Sequence, residues 1–168
     1  MNDSHRMGRR RLLAASGAFL AAFGASRASR AGATEARPPA IMHDDAEWRR
    51  RLNKDQYAVL RRHATEPPFS SPLDHEGRSG TYRCAGCDRA LFASTTKFES
   101  GSGWPSFYAP LANAVDTTRD TSMWMVRTEV HCSACGGHLG HVFDDGPKPT
   151  GLRYCINGVA LKFRPGDS

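Results

Sequence analysis

The stretch CSACGGHLGHVF (132–143) carries two kinds of information. Its first half sets two cysteines around a two-residue spacer and follows them with glycines, a turn composition. Its second half, HLGHVF, is a short apolar run with two histidines and reads as a strand. A second knuckle of the same form, CAGC (84–87), precedes another apolar run, ALFAS (90–94). Each C-x-x-C therefore reads as the tip of a hairpin. Four thiolates so arranged can surround one Zn²⁺ as a tetrahedron. The gap between the pairs is much longer than the roughly fifteen to twenty residues of a compact zinc motif. The fold must therefore bring two separate hairpins together, with the intervening strands looped out. In an exported protein two disulfides compete with this reading. A bond inside C-x-x-C is strained, however, and belongs more often to redox motifs. The expectation is a closed structural zinc site made by Cys84, Cys87, Cys132 and Cys135.

Outward from the knuckles, the chain after Pro72 consists of short apolar or β-branched runs parted by Gly, Asp and Pro. TYRC (81–84), ALFAS, SMWMVRTEVHC (122–132), HLGHVF and LRYCINGVALKF (152–163) read as strands. CAGC, GSGWPS (101–106), NAVDTTRD (113–120), CSACGG and DDGPKPTG (144–151) read as turns. Upstream, DDAEWRRRLNKDQYAVLRRHATEPPF (44–69) is helical in pattern. Asn53 with Gln56 three residues on resembles a capping box, so one helix ends near Leu52 and a second begins there. Trp48, Leu52, Val59 and Leu60 form its apolar face, and Pro67-Pro68 are expected to stop it. The domain is mainly β with a helical start.

The formal charge of +6 over 168 residues is not spread evenly. Residues 1–31 hold six arginines and one acid; the rest carries 17 basic and 16 acidic residues. The domain thus lacks the basic surface that nucleic-acid binding requires. The leader itself has a charged start, an apolar run from Leu12 to Phe23 too short to span a bilayer, and then small residues. It reads as a signal peptide (1–31), with a cleavage site at Ser29-Arg30-Ala31. The arginines before the apolar run point to twin-arginine export, a Sec signal being the alternative. The organisation expected is signal 1–31, linker 32–41 and catalytic domain 42–168, with no membrane insertion after processing and a periplasmic or otherwise exported location.

Once four cysteines are committed to metal, Cys155 stands alone. It is either a small buried hydrophobe or a nucleophile. If RYCIN (153–157) is a strand, Arg153, Cys155 and Asn157 share a face, and a cation beside sulfur favours the thiolate. His138 and His141 are candidate proton donors or hydrogen-bond donors to a substrate oxygen, or ordinary core or surface histidines. Trp104, with Phe107 nearby, is an exposed apolar wall on a glycine-rich loop or a core anchor.

Taken together, TEPPF (65–69), CAGC, SGSGWPSF (100–107), CSACGGHLGHVFDDGP (132–147) and RYCINGVALKF (153–163) resemble the MsrB family of methionine-R-sulfoxide reductases. The resemblance covers the whole domain from about Trp48 to Phe163. It implies two antiparallel β-sheets with N-terminal helices and a Cys₄ zinc away from the active site. It further implies Cys155 as nucleophile, Trp104 as the wall for the sulfoxide methyl, His138 and His141 on the oxygen side, and Arg153 and Asn157 in support. The substrate is then an oxidised protein or peptide, or free methionine sulfoxide, and the chain is expected to act as a monomer. Many family members carry a cysteine in the loop before the tryptophan, whereas this chain has Ser102. With no spare thiol, Cys155 is expected to be recycled by an external, thioredoxin-like thiol. A zinc-bearing interaction module is the rival reading, but it would not need Arg153, Cys155, His138, His141 and Trp104 together.

Overall fold

A computed structural model describes residues 39–166; the expected signal peptide and most of the linker lie outside these residues. Two short helices come first, α1 (Asp45–Arg51) and α2 (Lys54–Arg62). The capping box is present, Asn53 accepting from Gln56 N–H and Gln56 accepting from Asn53 N–H. Trp48, Leu52, Val59 and Leu60 are buried as expected, joined by Tyr57. The helix does not run to Pro67. It ends at Arg62, where His63 turns the chain in a left-handed conformation (φ 56°).

Nine strands follow: β1 (Gly80–Cys84), β2 (Ala90–Ala93), β3 (Lys97–Phe98), β4 (Ser106–Phe107), β5 (Val115–Asp120), β6 (Arg127–Cys132), β7 (His138–Phe143), β8 (Arg153–Ile156) and β9 (Leu161–Pro165). They make two antiparallel sheets, β2-β1-β9 and β3-β4-β8-β7-β6-β5. Three segments differ from the sequence reading. NAVDTTRD contains β5, an edge strand rich in polar residues, of which Thr117 and Arg119 face water, so composition alone resembles a turn. SMWMV is not strand; β6 begins only at Arg127. LRYCINGVALKF is not one strand but two. A single 3₁₀ turn over Gly158–Ala160 carries the chain from the larger sheet to the smaller one.

The sheets meet through aromatic rings. Tyr82, Phe92 and Phe163 come from the small sheet, with Tyr82 opposite both others in register. Phe107 comes from the large sheet and stacks on Phe92 at 4.4 Å, with Tyr82 edge-on at 4.8 Å. Tyr154 completes the cluster at 5.9 Å from Phe92.

The two knuckles are built alike. Asp88 N–H donates to Cys84 C=O and Cys84 N–H to Arg89 C=O; Gly136 N–H donates to Cys132 C=O and Cys132 N–H to Gly137 C=O. Asp88 and Gly136 both take positive φ, 62° and 65°, to close these turns. One knuckle caps the β1–β2 hairpin of the small sheet and the other the β6–β7 hairpin of the large one. They converge: Cys84 and Cys135 Sγ are 3.7 Å apart, Cys87 and Cys132 Sγ 3.5 Å.

Phe107 is fully buried in this core. Truncating it (Phe107→Ala) is expected to cost about 3–5 kcal/mol of stability, read as a fall in the denaturant midpoint of the purified domain.

Candidate active site

Cys155 occupies the middle of β8, flanked on both sides. Ser106 of β4 is its register partner on one side and His141 of β7 on the other. His141 is in turn opposite Glu129 of β6, and Glu129 opposite Thr118 of β5. Ser106, Cys155, His141, Glu129 and Thr118 therefore form one row across the large sheet. Alternation places a second row two residues along, Arg153, Phe143, Arg127 and Asp120, on the same face. Residues of opposite parity, among them Phe107, Tyr154, Ile156 and Val130, point into the core. This explains why Phe107 is not a pocket wall: Ser106, its neighbour, faces Cys155, so the Phe107 ring must face the other way.

His138 and His141 would point to opposite faces of a regular strand. A β-bulge in β7 prevents this, since two steps from Gly140 to His138 match one step from Val130 to His131 in β6. The rings lie 5.6 Å apart, edge to face. Neither histidine belongs to the sulfur cluster. His138 Nδ1 is 2.7 Å from Glu129 Oε1, which also lies 3.0 Å from His63 Nδ1. His141 Nε2 is 2.8 Å from Asp120 Oδ2. Glu129 is held low, at about 2, chiefly by the His138 hydrogen bond. Burial pushes the His141 imidazole below its ordinary value, against the pull of Asp120. With Nδ1 engaged, Nε2 is the free nitrogen of His138, an acceptor on the neutral ring and a donor on the protonated one.

Arg153 forms a bidentate pair with Asp145, both contacts 2.8 Å, and its guanidinium lies 4.5 Å from the Phe143 ring centroid. Its charge also acts on the Cys155 sulfur, favouring the thiolate. The sequence led us to expect a thiolate there. Burial prevails instead: the Cys155 thiol is pushed up, with Ser102 and Arg153 pulling it only part of the way back. A buried sulfur loses hydration that one cation shared with Asp145 does not replace.

Ser102 Oγ lies 3.8 Å from Cys155 Sγ. Its hydroxyl leads to Ser100 (2.8 Å) and from there to Ser106 (2.7 Å). A shallow depression beside these groups is lined by Phe98, Glu99, Ser100, Ser102, Asp145 and Arg153.

Asn157 differs from its expected place. It lies beyond the end of β8 and is buried. Its amide oxygen accepts from Glu66 N–H at 2.9 Å and its NH₂ donates to Leu139 C=O at 2.9 Å. It thus holds backbone rather than facing the cysteine. The Glu66 carboxylate accepts from the N–H groups of Gly158 and Val159, and the Glu66 carbonyl accepts the Trp104 indole N–H at 3.1 Å. The tryptophan loop is therefore fixed rather than flexible. Gly103 has φ 87°, and a Cβ there would approach Pro68 Cβ at 2.8 Å and Phe69 N at 2.9 Å. Glu129, Asp120, Asp145, Glu66 and the two extra serines were not legible as site residues. Strand alternation through Glu129 would have found the first; reading NAVDTTRD as a turn hid Asp120.

At the knuckles, the four Sγ atoms lie within 4.8 Å of one another, and no disulfide joins any described cysteines. A tetrahedral ion with metal–sulfur bonds of about 2.3 Å needs sulfurs about 3.8 Å apart, so the donor set fits one metal ion. Neighbouring sulfurs and burial push the Cys84 and Cys135 thiols up, so a cation is needed before all four can ionise together.

Residues 52–165 match the family model described as the SelR domain. A peptide methionine sulfoxide reductase MsrB of Bradyrhizobium diazoefficiens is 58% identical over 126 residues, 74% of this chain and 91% of that one. One from Pseudomonas putida is 59% identical over 122 residues, 72% and 92% of the two chains. One from the archaeon Methanosarcina barkeri is 53% identical over 126 residues, 74% and 89%. With this match spanning both sheets, the cysteine cluster and the Cys155 row, the chain belongs to the MsrB family.

Proposed function

We propose that the protein reduces methionine-R-sulfoxide in oxidised proteins, with Cys155 as the nucleophile. The observation that carries this reading is the row Ser106–Cys155–His141–Glu129: a single uncommitted thiol, half-buried, opposite a histidine on one strand and within reach of Ser102 and Arg153. Attack of the Cys155 sulfur on the sulfoxide sulfur, with the thiol proton passing to the sulfoxide oxygen, forms a sulfur–sulfur bond. Its collapse moves the oxygen to Cys155, giving methionine and a cysteine sulfenic acid. Two external thiols then return Cys155 to the thiol, releasing water and a disulfide. His138 and His141 stand on the oxygen side, held by Glu129 and Asp120, and Trp104 provides the apolar wall for the methyl group. Burial keeps the proton on Cys155 until a substrate can take it, which limits wasteful oxidation of the resting enzyme.

The four clustered cysteines hold a structural Zn²⁺, supported by the all-thiolate donor set and closed geometry. The protein is exported through its arginine-bearing leader, acts as a monomer, and draws electrons from a thioredoxin-like partner.

Separated R and S sulfoxide peptides, assayed with dithiothreitol, test the central claim. The R epimer is turned over, and Cys155→Ser abolishes activity; turnover by Cys155→Ser or preference for the S epimer overturns it. Alkylation of the metal-loaded protein with iodoacetamide is expected to show a pH midpoint above the about 8.5 of free cysteine. Arg153→Ala moves that midpoint further up, since it removes a group that favours the thiolate. A Ser102→Cys variant should form an intramolecular disulfide with Cys155 after one turnover, seen by mass spectrometry, whereas the wild type yields a sulfenic acid trappable with dimedone. Metal analysis should find zinc in the wild type. Cys132→Ser should lose it and most of the roughly 10–16 kcal/mol that zinc binding supplies to small domains, so that its thermal transition falls steeply or disappears.

A further inference from the structure

The hairpin joining β5 to β6 ends in an anomaly. Met123, Trp124, Met125 and Val126 are consecutive and all exposed, Trp124 at 104%. Met123 and Trp124 both adopt left-handed backbone, φ 57° and 59°, which non-glycine residues rarely hold in succession. Contiguous exposed apolar side chains on a strained turn mark an interaction surface more often than a folding necessity. Here nothing inside the domain packs them.

The tip is also tied to the proposed site. Asp120 and Arg127 form the last pair of the β5–β6 ladder before the tip and are bonded to each other at 2.7 Å. The same Asp120 oxygen receives His141 Nε2 at 2.8 Å, and Ser122 N–H caps its other oxygen at 2.8 Å. The apolar residues therefore begin where the second row of the Cys155 face ends. Cys155 lies on β8, with β7 between it and the hairpin. Strands about 4.8 Å apart put the hairpin about 10–14 Å to the side of Cys155. The tip lies beyond Asp120 and Arg127, themselves two residues past the Cys155 row, so the straight span is about 15–20 Å. An extended polypeptide rising about 3.3 Å per residue covers that span in about five to six residues.

Building on the reductase reading above, we propose that the Met123–Val126 tip docks an apolar side chain of the oxidised polypeptide, about five to six residues from its methionine sulfoxide. The tip would thereby favour segments in which a sulfoxide lies near a large hydrophobe, as happens when oxidation opens a protein core. Methionine and tryptophan suit this use: one is flexible, the other offers a broad face, and both accept varied partners.

The test uses the full chain with dithiothreitol and R-sulfoxide peptides of Gly and Ser carrying one Leu at each offset from about one to about nine on either side. The wild type should show a KM at least about 5-fold lower when Leu sits about five to six residues away. Trp124→Ser with Met123→Ser should abolish that preference, Trp124→Phe should retain it, and kcat on N-acetyl-methionine-R-sulfoxide should be unchanged in all. A preference that survives the double variant, or no dependence on offset, overturns the proposal. So does an equal loss of activity on the N-acetyl compound, which would make the tip a structural support for His141. Trp124-dependent binding to lipid vesicles or Trp124-dependent dimerisation, without peptide preference, assigns the tip to another partner and equally overturns it. Wild-type failure on N-acetyl-methionine-R-sulfoxide would instead defeat the reductase reading itself.

Discussion

Everything in this domain depends on four sulfurs being brought to one point. The cysteines sit at the tips of two hairpins that belong to different sheets, so the cluster is a clamp between sheets rather than an ornament on one of them. Each knuckle uses the same two backbone hydrogen bonds and one left-handed residue to aim its pair of thiols. Four crowded thiols repel as thiolates, and a divalent cation held among them would turn that repulsion into cohesion. The aromatic stack of Phe92, Phe107 and Tyr82 then fills the space between the clamped sheets.

The face opposite that stack is polar, and its order follows from the pleat. Cys155 gains its neighbours by register: a serine on one side, a histidine on the other, a carboxylate behind the histidine. One bulge in β7 brings the second histidine to the same side. Charge alone does not explain the cysteine. Arg153 is shared with Asp145, and burial outweighs it, so the resting sulfur keeps its proton.

Much of this was legible in the residues. The knuckles, the capping box at Asn53, the strand HLGHVF and the isolation of Cys155 each depend on local pattern, and each lies where the pattern put it. What was not legible depends on register and on tertiary partners. LRYCINGVALKF looks like one strand because both halves alternate, and only the close packing of Gly158 against Ser71 shows where the chain turns between sheets. Asn157 shares parity with Cys155, yet two backbone groups far away in sequence claim its amide. Phe107 looks available beside Trp104 until Ser106 is seen paired with Cys155. NAVDTTRD is rich in turn-forming residues because an edge strand facing water has no need of apolar ones.

Glu66 carries a consequence of its own. Its carbonyl takes the Trp104 indole, its N–H goes to Asn157, and its carboxylate accepts the two N–H groups that start the turn after β8. One residue is thus the common fastening of the Trp104 loop and of the strand end that carries Cys155. Trp104 and the end of β8 cannot be adjusted separately: a shift at residue 66 moves both at once. The relative placement of the Trp104 loop and the β8 end thus runs through this single side chain and its peptide, a fixed gauge between two segments far apart in sequence.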